Sequence, residues 1–208
     1  MTVPPAASGG EVAVVCPADS FDADALLAGA LARDLDRAFE QLVVAYRVRV
    51  VTFVARMLHD DARAEDVAQD VFVRAYRALR TYPAQRIADL RLRSWLFAIA
   101  HNLTRNVFRD APPPAEPLEY ADGAPRAELL APEPGPEQLA LRGEAWRSVD
   151  AAIAQLTPAL RAAFVLRYVD ELPYDEIAAT LGQPVGTVKA SAHRGLLAVR
   201  AQLGANDG

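Results

Sequence analysis

Two amphipathic segments separated by a short break constrain the fold of this chain more than any other feature. The break has the sequence Gly-Gln-Pro-Val-Gly at positions 182–186, and the whole unit spans residues 174–203. Glycine and proline interrupt a helical period that resumes on the other side, which is the pattern of a helix-turn-helix. Pro184 fits the first turn of the second helix because that position needs no backbone N–H.

The second helix of this unit has one apolar face and one small, basic face. At about 100° per residue, the apolar face collects Val188, Ala192, Leu196, Val199 and Leu203. The other face collects Gly186, Ala190, His193, Arg194, Leu197 and Ala201, with Lys189 and Arg200 at its border. A recognition helix needs such a face to enter the major groove. A core helix with a solvated face has the same pattern, so amphipathicity alone leaves both interpretations open.

The composition favours an all-α protein of one or two domains. The chain has 208 residues, of which 52% are hydrophobic, and a formal net charge of −5. This charge argues against a general nucleic-acid binder, but the acidic excess lies in residues 1–37 and 111–142. Residues 91–109 hold four Arg and no acid. Residues 186–204 hold Lys189, Arg194 and Arg200, and no acid. Two local basic patches therefore remain in an acidic protein.

Residue counts exclude several classes of function. The single cysteine, Cys16, excludes an internal disulfide and a multi-cysteine zinc site. His59, His101 and His193 show no metal-ligand spacing, so we expect neither a metal nor a cofactor. No nucleophile–base pair or phosphate-binding loop indicates an enzyme. We also expect a cytoplasmic protein, because the sequence has no apolar run of about 18 residues and no basic signal-type start.

Helical periodicity divides the chain into two small helical domains joined by a flexible linker. We expect a disordered extension over 1–22, although Asp22 or Asp24 could cap a short helix. The first domain, 23–110, should contain helices over 34–58, 63–81 and 90–108. Residues 111–136 hold eight of the chain's 15 prolines and are predicted to be a flexible acidic linker. The second domain, 137–204, should contain helices over 137–156 and 158–170, followed by the helix-turn-helix.

Two segments of the first domain carry opposite charge. The start of the second predicted helix is acidic, with Arg63 alone against Asp60, Asp61, Glu65, Asp66 and Asp70. This surface would repel DNA phosphates and suits a basic protein partner, although a merely solvated helix start has the same composition. Segment 93–105 is basic and aromatic, and melted DNA is bound by basic tracks with a pocket for an unstacked base. The spacing of Trp95 and Phe97 favours core positions for both.

Taken together, three segments resemble the sigma-70 family, and within it the group IV or extracytoplasmic-function (ECF) branch. Residues 64–76, Ala-Glu-Asp-Val-Ala-Gln-Asp-Val-Phe-Val-Arg-Ala-Tyr, resemble that family's polymerase-binding helix. Residues 93–105, Arg-Ser-Trp-Leu-Phe-Ala-Ile-Ala-His-Asn-Leu-Thr-Arg, resemble its promoter-melting helix. Residues 172–194 resemble its helix-turn-helix. The order of the segments and the proline-rich linker also match.

The resemblance implies a sigma factor that binds core RNA polymerase, recognises the minus-thirty-five and minus-ten promoter elements and initiates transcription of a promoter subset. Its partners would be the polymerase β′ coiled coil and β flap, promoter DNA and, by analogy, an anti-sigma protein. The implied core-polymerase contacts are Glu65, Asp66, Gln69 and Asp70. The implied minus-ten contacts are His101, Asn102, Arg105 and Arg109. The implied minus-thirty-five contacts are Gly186, Thr187, Lys189, Ser191, His193 and Arg194.

Within this resemblance, Asn102 matches a position in a recognition loop for an extruded minus-ten base. Its amide could both donate to and accept from a Watson–Crick edge. The chain departs from the family at positions 190–192, which read Ala-Ser-Ala where Ser-Arg-Leu is usual, so promoter specificity is not transferable. The alternative is a stand-alone helix-turn-helix regulator that uses residues 1–110 as a sensor or dimerisation domain.

Overall fold

The computed structural model describes residues 18–110 and 146–206, and both parts consist of helices joined by short turns. Residues 1–17 and the predicted linker at 111–136 lie outside the described residues. The first part contains α1 (Ala18–Arg33), α2 (Leu35–Leu58), α3 (Asp61–Leu79), α4 (Ala84–Ala88) and α5 (Leu92–Asp110). The second contains α6 (146–154), α7 (Pro158–Phe164), α8 (Tyr174–Leu181) and α9 (Val185–Asn206). The all-α prediction is confirmed.

Side-chain caps begin both α2 and α3, and a tight turn joins the two helices. Asp34 caps α2 by accepting a hydrogen bond from the Arg37 backbone N–H over 3.1 Å. His59 ends the helix in the left-handed conformation with φ 57°. Asp60 then caps α3 by accepting from the Arg63 N–H over 3.0 Å, as short polar side chains do at helix starts. The helix break predicted at residues 59–61 is therefore confirmed.

The core of the first domain is the predicted apolar stripe of α2 packed against α3 and α5. Leu42, Val50 and Phe53 are fully buried on that stripe. Phe53 meets Phe97 of α5 edge-to-face, with the ring centroids 5.2 Å apart. Trp95 is half-buried against Tyr82, with centroids 6.3 Å apart. The prediction that these two α5 aromatic side chains are core residues is confirmed for Phe97 and holds in part for Trp95.

Two features of the first domain differ from what the sequence predicted. Residues 18–22 were predicted to be disordered but belong to α1, which begins at Ala18 and joins the core through Ala28 and Leu31. The Tyr46 hydroxyl donates a hydrogen bond to Asp24, which links α1 to α2. The third predicted helix is also preceded by the five-residue α4, which is too short to produce a recognisable period.

The second domain ends in the predicted helix-turn-helix. Within the described residues α6 to α9 form the four-helix unit, and α7 continues as a π-helical turn over Val165–Val169. Gly182 ends α8 with φ 63°, a left-handed conformation that glycine adopts without steric cost. Val188, Ala192 and Val199 of α9 are buried, which confirms the apolar face derived from the sequence.

Candidate protein and nucleic-acid interfaces

One exposed face of α3 carries the four residues predicted to contact a protein partner. The helix buries Ala64, Val67, Ala68, Val71, Phe72, Ala75 and Leu79. This burial leaves an acidic face, which we define as Glu65, Asp66, Gln69 and Asp70, and all four side chains are exposed. Among the described residues no basic side chain pairs with Asp66 or Asp70. At Asp66 and Asp70 the acidic face therefore presents negative charge that no basic side chain of the described residues compensates.

Three exposed valines adjoin the acidic face, and sequence reasoning missed them. Val44 and Val48 of α2 are 76% and 49% exposed, and Val73 of α3 is 45% exposed. The helices run antiparallel, since Arg47 pairs with Glu65 over 3.1 Å and the hydroxyl of Tyr76 donates to Asp36 over 2.6 Å. This register places Val44 at the level of Ala68, which is next to Gln69.

Apolar side chains beside the acidic face turn a charged surface into a mixed one. Such mixed surfaces are typical of protein interfaces rather than of DNA contacts. The signal for these valines was present in the sequence, because Val44 and Val48 lie off the apolar stripe of α2 that builds the core. The Arg47–Glu65 pair, at 61% and 49% side-chain exposure, contributes little to stability and leaves both groups available to a partner.

The predicted minus-ten residues lie in the second half of α5. Asn102 and Arg105 are both exposed and are three residues apart, so they share one face of the helix. The expectation that Asn102 lies in a recognition loop was wrong for this structure, because α5 is a continuous helix from Leu92 to Asp110. The Arg109 side chain lies outside the described part of the chain. Asn102 and Arg105 form an amide-and-cation pair suited to a base edge and a phosphate.

His101 differs from its neighbours because it is partly buried. Its Nδ1 atom is buried and has no hydrogen-bond partner among the described residues. Burial, helped by the positive charge of Arg105, lowers the pKa of His101 to about 4. The imidazole is therefore neutral at pH 7, and it cannot supply a positive charge to a DNA phosphate.

The helix-turn-helix exposes most of its predicted DNA-contacting residues. Gly186, Thr187, Lys189, His193 and Arg194 are all exposed on α9. The first two lie in its first turn, where free backbone N–H groups favour a phosphate. The Lys189 ammonium lies 5.6 Å from the Tyr174 ring centroid, and Arg194 Nε lies 3.4 Å from the carbonyl oxygen of Ala190. The long cationic side chains of Lys189 and Arg194 therefore surround a face whose other side chains are mostly small.

Ser191 was wrongly assigned to this face. Its exposure is only 4%, because it follows Val188 by three residues and so lies on the packed side of α9. Gly195 lies on the same side, where a Cβ atom would be 3.1 Å from the Phe164 Cβ. The small residues at 191, 192 and 195 therefore allow α9 to approach α7 closely.

Two other features are absent from the part of the chain that the structure describes, namely a metal-binding cluster and a membrane-spanning helix. Between residues 18–110 and 146–206, no group of three or more His, Cys, Asp or Glu side chains could hold a metal ion. None of the helices in those ranges has the length and apolarity needed to cross a bilayer. Two surface depressions around α1, α2 and α4 are shallow and open to solvent.

Comparisons with known proteins match both domains. Residues 42–112 match the family model described as Sigma-70 region 2, and residues 146–199 match the model described as Sigma-70, region 4. RNA polymerase sigma-H factor of Pseudomonas aeruginosa is 36% identical over 76% of this chain and 82% of its own length. ECF RNA polymerase sigma factor SigW of Bacillus subtilis is 34% identical over 80% of this chain and 89% of its own length.

Two solved structures share the architecture. CnrH, in complex with the cytosolic domain of CnrY, matches with a TM-score of 0.63 at 28% identity, over 88% of this chain and 99% of CnrH. The sigma factor RpoE of Bartonella quintana, in complex with the anti-sigma factor NepR, matches with a TM-score of 0.60 at 19% identity. That match covers 79% of this chain and 96% of RpoE, and at this identity it supports the fold alone.

Proposed function

The chain belongs to the ECF branch of the sigma-70 family and acts as a promoter-recognising sigma factor, and we propose that three of its surfaces divide this task. The first domain corresponds to the promoter-melting, polymerase-binding domain of the family. The second corresponds to its helix-turn-helix domain. In this proposal the chain performs no chemistry itself, and the catalytic step belongs to core RNA polymerase.

The acidic face of α3 and the valines beside it are proposed to dock on core polymerase. Asp66 and Asp70 supply negative charge, and Val44 offers apolar surface next to it. A basic coiled coil is complementary to this combination, since charge guides association while apolar burial stabilises the complex. By family resemblance, that partner is the coiled coil of the β′ subunit.

Two further surfaces are proposed to hold the promoter. Asn102 and Arg105 on α5 would bind the melted minus-ten strand, with the amide reading an unstacked base and the guanidinium holding a phosphate. Lys189, His193 and Arg194 on α9 would enter the duplex major groove at the minus-thirty-five element. Because Ser191 is buried, it does not contact a base, and its exposed neighbours on α9 make the base contacts in that part of the groove.

The single observation that carries this proposal is the coexistence of two exposed faces of opposite character. An acidic face lies on the first domain and a basic recognition face on the second, each within the family match for its domain. A regulator working through the helix-turn-helix alone would have no use for the acidic face. An anti-sigma protein is a further proposed partner, because one similar structure, RpoE with NepR, is a complex of that kind.

Footprinting with and without core polymerase separates the proposed function from the stand-alone regulator. A sigma factor should protect the minus-ten and minus-thirty-five elements together, and only when polymerase is present. A regulator should protect one operator without polymerase, and adding polymerase should leave its footprint unchanged. The second pattern would reject the proposed function.

A further inference from the structure

The ring of Tyr174, at the start of α8, is contacted by two cationic side chains. The Lys189 ammonium of α9 lies 5.6 Å from the ring centroid, and the Arg167 guanidinium carbon lies 4.8 Å from the same centroid. Both distances are within the range over which the negative face of an aromatic ring attracts a cation. One tyrosine therefore brings a cation of the helix-turn-helix together with a cation of the preceding π-helical turn.

The π-helical turn holds the Tyr174 ring from one side. Arg167 belongs to this turn, Val165–Val169, and its Nη1 atom donates a hydrogen bond to the carbonyl oxygen of Leu172 over 3.0 Å. The adjacent Tyr168 adds a second contact, because burial and then the neighbouring hydroxyl of Tyr174 raise the pKa of Tyr168. Turns of this kind are frequent at functional sites. The position of the Tyr174 ring is thus fixed independently of Lys189.

The aromatic contact holds Lys189 without neutralising its charge. Lys189 is exposed, and no carboxylate in the described part of the chain forms an ion pair with it. The two acids that follow Tyr174, namely Asp175 and Glu176, pair with Arg91 of the first domain instead. A carboxylate partner would compete with an anionic ligand for the ammonium, whereas an uncharged ring does not. Positive charges that converge without an acid between them favour the binding of an anion.

The place of Tyr174 in the helix-turn-helix indicates which anion this is. In such units the first helix crosses the sugar-phosphate backbone, while the N-terminal residues of the second helix contact base edges. Tyr174 is the first residue of α8, the first helix of the unit. A lysine held over that residue is therefore directed towards the backbone at the edge of the major groove. An ammonium group suits this task because it binds a phosphate as a compact point charge.

We propose that Tyr174 is a positioning residue for promoter binding, and that it holds Lys189 against a phosphate of the duplex beside the minus-thirty-five groove. The inference rests on the proposed function of α9, and Tyr174 acts through Lys189. A free lysine side chain loses rotamer entropy when it binds, so a ring that restricts the side chain beforehand lowers the cost of binding. The affinity gained in this way does not depend on base sequence, because the contact is to the backbone.

The contact between Tyr174 and Lys189 can be observed directly, because Lys189 is the only lysine among the chain's 22 basic residues. Reductive methylation with isotope-labelled formaldehyde converts its amine and that of the N-terminus into dimethylamines that keep their positive charge. Lys189→Arg identifies the lysine signal in the NMR spectrum by removing it. An aromatic ring shields nuclei above its face, so the methyl signal of the parent should lie upfield of its position in Tyr174→Leu. Tyr174→Phe, which keeps the ring, should restore the upfield position.

A double-mutant cycle tests the consequence for promoter binding. Holoenzyme assembled from core polymerase and each variant is titrated with a promoter fragment at several salt concentrations. Lys189→Met should weaken binding by about fivefold or more and lower the slope of log K against log salt by about one. Tyr174→Leu should weaken binding about 2- to 5-fold in the parent, but by less than about 1.5-fold in the Lys189→Met background. Tyr174→Phe should restore most of the affinity that Tyr174→Leu loses.

A purely structural role for Tyr174 predicts a different cycle, because damage to the fold would weaken binding equally in both backgrounds. That result, or a methyl signal that does not move in Tyr174→Leu, would overturn the proposal. An unchanged affinity and salt slope for Lys189→Met would also overturn it, by removing the phosphate contact. A parent holoenzyme that binds no promoter would reject the proposed function instead. The methyl signal of the free chain, which needs neither polymerase nor DNA, would then still decide whether Tyr174 holds Lys189.

Discussion

The guanidinium of Arg161 on α7 donates a hydrogen bond to the carbonyl oxygen of Met57 on α2, over 3.0 Å and across 104 residues of sequence. The same side chain also donates to the carbonyl oxygens of Ile153, Ala154 and Leu156. The buried guanidinium of Arg161 thus stabilises the turn between α6 and α7 and links this turn to the first domain. Arg161 is only 6% exposed, so these hydrogen bonds are shielded from solvent and their loss would leave polar groups buried.

Replacing Arg161 with Met should destabilise the chain strongly. Four carbonyl oxygens, three of them buried, would lose their donor, and the free energy of unfolding should fall by about 3–5 kcal/mol. Denaturant unfolding followed by circular dichroism measures this change. Arg63→Met is the matched control, because Arg63 is exposed and its replacement should change stability by less than about 0.5 kcal/mol. Equal stability of the two variants would contradict the structural role of Arg161.

Asp66→Arg should weaken binding to core polymerase. The change replaces one of the uncompensated charges of the acidic face with the opposite sign, and we expect roughly a 10- to 100-fold higher Kd. Titration of labelled chain with core polymerase measures this effect. Asp89→Arg makes the same charge change at an exposed site after α4 and should leave the affinity within about twofold. An unchanged Kd for Asp66→Arg would remove this residue from the interface.

Asn102→Ala should impair open-complex formation more than core binding. The exposed amide would no longer pair with an unstacked base, so we expect about a 10-fold loss or more in stable open complexes. Permanganate reactivity of the melted strand measures the open complex, and titration with core polymerase measures binding. Fold stability should change little, because Asn102 is exposed. An equal loss in both assays would contradict the assigned role.

Asp170→Asn should change how stability depends on pH. Burial raises the pKa of Asp170 to about 7, an effect larger than the opposing influence of Arg49, Arg56 and Arg93. The folded chain therefore holds this proton more tightly than the unfolded chain, whose carboxyl has an ordinary pKa near 3.8. This group's contribution to the free energy of unfolding is greatest at low pH, falls as pH rises from about 4 to 7, and is constant above that.

The free energy of unfolding of Asp170→Asn should not show this decline. Above pH 7 it should exceed that of the parent by roughly 2–4 kcal/mol. Thermal unfolding across pH 4 to 8 measures the difference. Asp175→Asn is the control with the opposite sign, because the hydrogen bond from Arg91 lowers the pKa of Asp175. Parallel pH profiles for the parent and Asp170→Asn would show that Asp170 does not titrate in this range.

Much of the fold followed from short-range signals in the sequence. The stripe that begins at Leu35 and the polar run at residues 59–61 predicted α2 and its end closely, because capping and periodicity are local. The five-residue α4 and the early start of α1 gave no such signal. Ser191 was assigned to the wrong face of α9 because a serine side chain is compatible with both the packed and the exposed face.

Contacts between the domains were beyond the reach of sequence reasoning. Arg56 and Asp150 are 94 residues apart, and nothing in their own neighbourhoods marks them as partners. The exposed Val44 could have been noticed, since it lies off the core stripe. The acidic face was found because charge accumulates there within two helical turns.

Run-off transcription tests the central claim most directly. Core RNA polymerase is incubated with and without the purified chain on promoter fragments from the genome that encodes it. A sigma factor should yield discrete transcripts from a subset of fragments, with none from core polymerase alone. The account would be contradicted if no fragment gave a chain-dependent transcript and the chain did not bind core polymerase.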